Sequence, residues 1–350
     1  MLIDLLTIFF TSLTYLFFLR KVAKNIGLVD RPNARKKHSG VIPLIGGISI
    51  CLVILNYLYF KPESLPHAPT YMACISLLTI LGALDDKYDV SFKIRFLVQA
   101  ALSIAMMNFA DLVLENLGDM LAVGDLHLGS LGYVITTLAV IGAINAYNMV
   151  DGIDGLLGGL STVTFASLGF IFLLSGNQAL AFFCLILCVA IAPYILLNLG
   201  AFGRARKVFM GDAGSMLIGF TVIWLLLLAS QQDSNPPLRP VTALWLIAIP
   251  LMDMTAVMIR RIKRGNSPFK PDREHLHHIF QRVGLNSAQT LAVICLSAVT
   301  LSTIGILGDL FNVPEYIMLA GFILCFGTYL LVLRHAWKIT SGIKLLFKLK

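Results

Sequence analysis

Asn145-Ala-Tyr-Asn-Met-Val-Asp-Gly-Ile-Asp-Gly-Leu-Leu-Gly-Gly159 separates an apolar run at 130–148 from another at 158–175. Each run approaches the ~20 residues that a helix needs to cross a bilayer. The quoted stretch therefore reads as a polar turn between two membrane helices. Asn145, Asn148, Asp151 and Asp154 recur every third residue, a spacing expected to gather four polar groups along one side of a helix or its unwinding end. The glycines at 152, 155, 158 and 159 allow a tight turn or the close approach of a ligand.

The rest of the chain repeats the pattern. Of its 350 residues, 57% are hydrophobic and 13% charged, and the mean hydropathy is +0.83. A soluble domain usually has a charged fraction of about a quarter, so the chain reads as an all-α polytopic integral membrane protein. Eleven candidate transmembrane helices lie near 4–20, 44–60, 70–84, 96–110, 130–148, 158–175, 178–197, 214–230, 241–259, 288–308 and 314–333. The first has no positive start and no small-residue cleavage site, and is expected to persist as a span. All six cysteines fall within apolar runs, where small-hydrophobe packing is the expected role rather than a disulfide framework.

Charge sets the expected orientation. With the N-terminus outside (periplasmic), the alternating inner segments 20–43, 85–95, 149–157, 198–213, 260–287 and 334–350 hold 25 of the 27 Lys and Arg residues, leaving Lys61 and Arg239 outside. Such a bias places basic loops and the C-terminus in the cytoplasm. It also accounts for the formal charge of +8 without a nucleic-acid partner. Asp85, Asp86, Asp89, Asp151, Asp154, Asp212, Asp272 and Glu274 fall on the same inner side, in short loops or at helix ends. A cleft on the cytoplasmic face is therefore the expected site.

Four inner segments supply candidate chemistry. Arg31 to Gly47 contains Arg31, Arg35, Lys36, Lys37 and His38 ahead of Pro43-Leu-Ile-Gly-Gly47; its cations could meet phosphates or serve as topology signal. Adjacent Asp85 and Asp86 repel one another unless a cation neutralises them, and at the end of a span they supply no obvious cap. Gly211-Asp212-Ala-Gly-Ser215 places a carboxylate and free amides at a helix start, suited to a phosphate and its counter-metal, or to an ordinary N-cap. Phe209 could stack on a base or sit in the interface. In 260–287, Leu276, Ile279, Phe280 and Val283 follow helical spacing with Gly284 as C-cap, giving an amphipathic helix. Anion recognition by Arg273, His275, His277 and His278 suits this segment better than zinc ligation, since no cysteine or tight acidic set accompanies them.

Asp-Asp at 85–86, Asp-Gly-Ile-Asp-Gly at 151–155, Gly-Asp-Ala-Gly-Ser at 211–215 and His-Leu-His-His at 275–278, in this order, resemble the polyprenyl-phosphate N-acetylhexosamine-1-phosphate transferases over almost the whole chain. The N-acetylglucosamine branch fits better than the peptidoglycan phospho-N-acetylmuramoyl-pentapeptide branch. The latter has a denser histidine loop, and Pro-Thr-Met-Gly-Gly where this chain has Pro43-Leu-Ile-Gly-Gly47. A transporter would instead place its acids near the midplane and carry an internal repeat.

The resemblance implies one domain over 1–350, with a cytoplasmic loop at 260–287 and a basic cytoplasmic tail at 334–350, in the bacterial inner membrane. It implies transfer of N-acetylglucosamine 1-phosphate from UDP-N-acetylglucosamine to undecaprenyl phosphate, with Mg2+ or Mn2+ as cofactor, among membrane lipids and with room for a homodimer. On this reading Asp212 is the chief metal ligand, and Asp85 and Asp86 assist with metal or activate the lipid phosphate. Asp151, Asp154 and Asn148 line the catalytic and nucleotide centre, and Asn198 and Phe209 meet the nucleoside. Arg273, His275, His277 and His278 hold sugar and diphosphate, and Lys37 and His38 lie toward the uridine.

Overall fold

A helix that is apolar on every side is stable only inside a core or a bilayer, and the eleven apolar runs take that form. The computed structural model describes residues 1–32, 40–231, 236–268 and 275–334. The runs become α1 (Leu2–Ile26), α2 (Gly46–Phe60), α3 (Ala68–Tyr88), α4 (Phe92–Ala110), α5 (Leu131–Val150), α6 (Leu156–Leu174), α7 (Gln178–Asn198), α8 (Gly211–Gln231), the pair α9 (Pro240–Leu246) and α10 (Ala248–Lys263), then α12 (Ser287–Leu310) and α13 (Glu315–Arg334). A short helix, α11 (Leu276–Val283), precedes α12. Among the described residues nine helices are long and apolar enough to cross a membrane, or ten if α9 and α10 form one bent span.

Two runs depart from a simple span. With 15 residues, α2 extends about 22 Å at the helical rise, short of the ~30 Å hydrocarbon core. The run at 241–259 breaks at Ile247 with an 81° bend. Pro250 explains the break: it lacks the N–H that would reach the Leu246 carbonyl, and its ring would crowd that group.

The helix α8 is the axis of the molecule. Its apolar window is 100% buried, against 11% for α13, and it packs against α2, α3 and α5. The approach of α2 and α3 to its first turn requires glycine: a Cβ on Gly47 would stand 2.0 Å from the Gly214 nitrogen, and one on Gly82 would stand 2.3 Å from the Ala213 Cα. The outer helices leave Phe10, Phe18, Leu97, Phe109, Leu138, Leu296 and Leu324 exposed, an apolar girdle that in water would be a large patch and in a bilayer faces lipid. All six cysteines are free.

The all-α expectation needs one small amendment. Strand β1 (Val29–Asp30) pairs antiparallel with β2 (Ile42–Pro43), Val29 opposite Pro43 and Asp30 opposite Ile42. The segment after β2 is then strapped to the approach to α8: Phe209 N–H donates to the Pro43 carbonyl at 2.9 Å, Gly46 N–H to Phe209 at 2.9 Å and Gly47 N–H to Met210 at 3.0 Å. These bonds satisfy the first amides of α2, which have no partner within the helix. They also join the start of α2 to the loop ahead of α8.

Candidate active site

Carboxylates at the C-terminal end of a helix oppose its dipole, so Asp85 and Asp86 in the last turn of α3 need outside partners. Arg95 on α4 reaches Asp85 at 2.6 Å, and the same guanidinium nitrogen lies 4.0 Å from Asp212. Asp86 accepts from the backbone N–H of Asp212 at 2.9 Å and of Ala213 at 3.5 Å. Asp86 thus caps α8 from a neighbouring helix, and two unfavourable positions are offset together. Asn148, in the last turn of α5, donates to Asp212 Oδ1 at 2.7 Å and to Ser215 Oγ at 2.8 Å. Asp212 is therefore held by α3, α4 and α5 at the start of the buried axis.

The stretch 145–159 divides its polar groups differently from the expectation. Asn145 turns to α4, donating to Gln99 at 3.0 Å and to the Ile141 carbonyl at 2.7 Å, and does not join the site. Three-residue steps drift about 60° around a helix, and α5 ends at Val150, so one face cannot carry all four residues. Asp151 follows the helix end. Desolvation by the surrounding protein, followed by the charges of Asp212 and Asp154, pushes its pKa up to about 7. Asp154 pairs with Lys207, whose ammonium lies 5.3 Å from the Phe209 ring centroid, a cation–π contact.

Asn198 is 2% exposed. Its side chain accepts from Gly155 N–H at 2.6 Å and donates to the Val208 carbonyl at 2.8 Å. It binds the two polar loops to each other, a role that the residue type alone did not reveal.

The histidine segment closes over the same loop. His275 Nδ1 lies 2.8 Å from Asp253 on α10. The His277 ring stacks parallel to that of His275 at 5.8 Å and lies 4.1 Å from the His278 ring. His277 also packs on the turn after α5: a Cβ on Gly152 would stand 2.2 Å from its Nε2. Burial, then the neighbouring His278 and His275, pushes the His277 pKa down to about 3, so it is a neutral ring. Both its nitrogens are buried with no hydrogen-bond partner among the described residues, a costly arrangement that a polar ligand would relieve.

Lys37, His38 and Arg273 lie outside the described residues, as does most of the 334–350 tail. Arg95 and Asp253 fall outside the four motifs. Lys207 and Tyr329 carried no motif at all. Each is revealed by its partner on a distant segment.

The converging side chains offer oxygen donors, which suit a hard divalent cation such as Mg2+ or Mn2+. Among the described residues no three His, Cys, Asp or Glu side chains group as a metal-binding set. A cation in a phosphoryl-transfer site often takes only one or two carboxylates, with water and substrate phosphates completing the shell. Asp212 with Asp85 or Asp86 fits that requirement: Asp85 also meets Arg95 and Asp86 also accepts from two backbone amides, and each carboxylate oxygen has a second lone pair to offer.

Carboxylates, cations and a helix start gathered at one end of an apolar helix bundle suit phosphoryl transfer at a membrane. The chain belongs to glycosyl transferase family 4, whose sequence profile matches residues 68–230. It is 52% identical over 342 residues, 97% of this chain and 93% of the relative, to the undecaprenyl-phosphate alpha-N-acetylglucosaminyl 1-phosphate transferase of Escherichia coli (strain K12). It is 51% identical over the same span to the protein of that name from Yersinia pestis, and 48% identical over 345 residues, 98% of this chain and 96% of the relative, to that from Pasteurella multocida (strain Pm70). The resemblance read from the four motifs is thereby established.

Proposed function

We propose that this chain transfers N-acetylglucosamine 1-phosphate from UDP-N-acetylglucosamine to undecaprenyl phosphate. The products are undecaprenyl-diphospho-N-acetylglucosamine and UMP, in the first membrane step of a lipid-linked glycan such as O-antigen or enterobacterial common antigen. The observation that carries the reading is the convergence on Asp212 of Asp85, Asp86, Arg95 and Asn148 from three other helices. Transfer between two anions requires that arrangement: charge neutralisation and fixed alignment.

In this mechanism a lipid phosphate oxygen attacks the β-phosphorus of the UDP-sugar, and the bond to the bridging oxygen breaks to release UMP. A phosphate monoester with a second pKa near 6 is largely ionised at neutral pH, so direct attack needs no strong base. Mg2+ or Mn2+ held by Asp212 with Asp85 or Asp86 would neutralise the diphosphate. Asp86 holds Asp212 in place through the first turn of α8. Asn148 orients the Asp212 carboxylate, and Asp151 and Asp154 with Lys207 form the wall that meets the nucleotide. Arg95 supplies positive potential beside the acids. On this reading Phe209 meets the nucleoside and His275, His277 and His278 hold sugar and diphosphate; Arg273, Lys37 and His38, outside the described residues, are proposed as further cations for the diphosphate and the uridine end.

On this reading the chain is a bacterial inner-membrane protein with this end of the bundle facing the cytoplasm, where UDP-sugars are, and with the N-terminus periplasmic by the distribution of Lys and Arg. The one-sided distribution of the basic residues supports eleven crossings, counting α2 and the bent α9–α10 pair. Nothing in the chemistry requires a second copy.

The test is the fate of each phosphorus. With UDP-N-acetylglucosamine labelled at the β-phosphate, label should enter the lipid extract; with α-label, it should leave as UMP. Release of UDP, with both labels in water, would contradict phosphosugar transfer.

A further inference from the structure

A carboxylate inside an apolar helix is costly unless it is fully partnered, and Asp253 on α10 is 1% exposed. Among the described residues three donors surround it. His275 Nδ1 lies at 2.8 Å, Leu276 N–H at 3.0 Å and the Tyr329 hydroxyl at 2.8 Å. They come from two places: the start of α11, and α13, the outermost helix of the bundle.

Each bond has a consequence. Leu276 is the first residue of α11, and its N-cap, His275, makes no capping bond of its own. Asp253 therefore caps α11 from another helix. Because a carboxylate accepts hydrogen bonds, His275 presents Nδ1–H to it and keeps Nε2 as the nitrogen free to meet a ligand. The His275 ring lies parallel to His277, and His277 rests on Gly152, the residue after Asp151. A continuous set of contacts thus runs from Tyr329 through Asp253 and His275 to the turn that carries Asp151.

We infer that Asp253 and Tyr329 are positioning residues that set the tautomer and placement of His275, and with it the histidine segment, for the sugar-nucleotide substrate. This rests on the reading under Proposed function. It gives α13 a role that its scant packing does not otherwise suggest. Among the described residues, the hydrogen bonds of Asp253 and Tyr329 lead to the histidine segment and none to the acidic cluster around Asp212, so the effect is assigned to the sugar-nucleotide and not to the lipid phosphate.

The test uses the full chain purified in detergent. kcat and KM are measured for UDP-N-acetylglucosamine and for undecaprenyl phosphate separately, with thermal unfolding in parallel. Asp253→Asn should lower kcat/KM for the sugar-nucleotide by about ten- to a hundredfold, the usual range for a lost supporting contact, with the KM for undecaprenyl phosphate unchanged. Tyr329→Phe keeps the ring and should act in the same direction by a smaller factor. The double variant should match Asp253→Asn alone, since both act through one carboxylate. Kinetics like those of the unaltered protein in both variants would overturn the inference. So would a lowered unfolding temperature with equal losses for both substrates, because that outcome marks a purely structural pair. Failure of the unaltered protein to release UMP would sink the transferase reading itself, and this inference with it.

Discussion

Asp212 is the residue on which the site depends, and its surroundings separate three kinds of substitution. Asp212→Asn keeps shape and the Asn148 contact but removes the charge. Turnover should fall by at least about a hundredfold while the unfolding temperature stays near that of the unaltered protein; near-normal rates would remove Asp212 from the metal site. Arg95→Met leaves the buried Asp85 carboxylate without its partner. It should cost about 3 kcal/mol, the lower end for such a loss because Arg95 remains partly exposed, and denaturant unfolding in detergent would measure it. His277 gives a pH signature. Its folded pKa of about 3 lies below the ordinary ~6.5, so its contribution to stability is complete above pH ~6.5 and declines as pH falls toward 3. Asp151, raised to about 7, has the opposite sign: its protonated form favours the fold as pH falls through that value. Comparing His277→Phe with the unaltered protein cancels the Asp151 part, and the variant should lose less stability between pH 6.5 and 4. At this scale the acids were legible because Asp85, Asp86, Asp151, Asp154 and Asp212 sit in short motifs. Arg95, Lys207 and Tyr329 were not, because their partners are 10, 53 and 76 residues away.

Helices carry these residues to one place through close contacts at α8. Gly47 and Gly82 are the means, since backbone and not a yielding side chain lies where a Cβ would go. Gly47→Ala should force α2 away from α8, disturb the strap from Gly46 and Gly47 to Phe209 and Met210, and destabilise by about 1–3 kcal/mol, as overpacking does. A fall in unfolding temperature together with slower turnover would mark the change; an unchanged protein would show that α2 is not required at that distance. The sequence shows Gly46-Gly47 only as a small-residue pair. Its partner in α8 belongs to tertiary packing, which periodicity does not encode. The ends of α3, α5 and α11 were legible from polar and glycine signals, whereas the 81° bend was hidden inside an unbroken apolar run despite Pro250.

Across the whole molecule, eleven apolar runs became helices because a bilayer-length hydrophobic run admits few other folds. The membrane's two sides are then the main topological question, and the distribution of Lys and Arg argues for one answer. A single cysteine placed at Asn266 in a cysteine-free variant should react with a membrane-impermeant thiol reagent only from the cytoplasmic side, and one placed at Glu63 only from the periplasmic side. The reverse pattern would turn the cleft away from UDP-sugars. The account's central claim is that one cytoplasmic cleft brings a soluble diphosphate and a membrane phosphate together. Its most direct test is UMP release from UDP-N-acetylglucosamine by the purified chain, with and without undecaprenyl phosphate and Mg2+. Release that requires both additions is the predicted result. Release independent of the lipid, or none with both present, would contradict the claim.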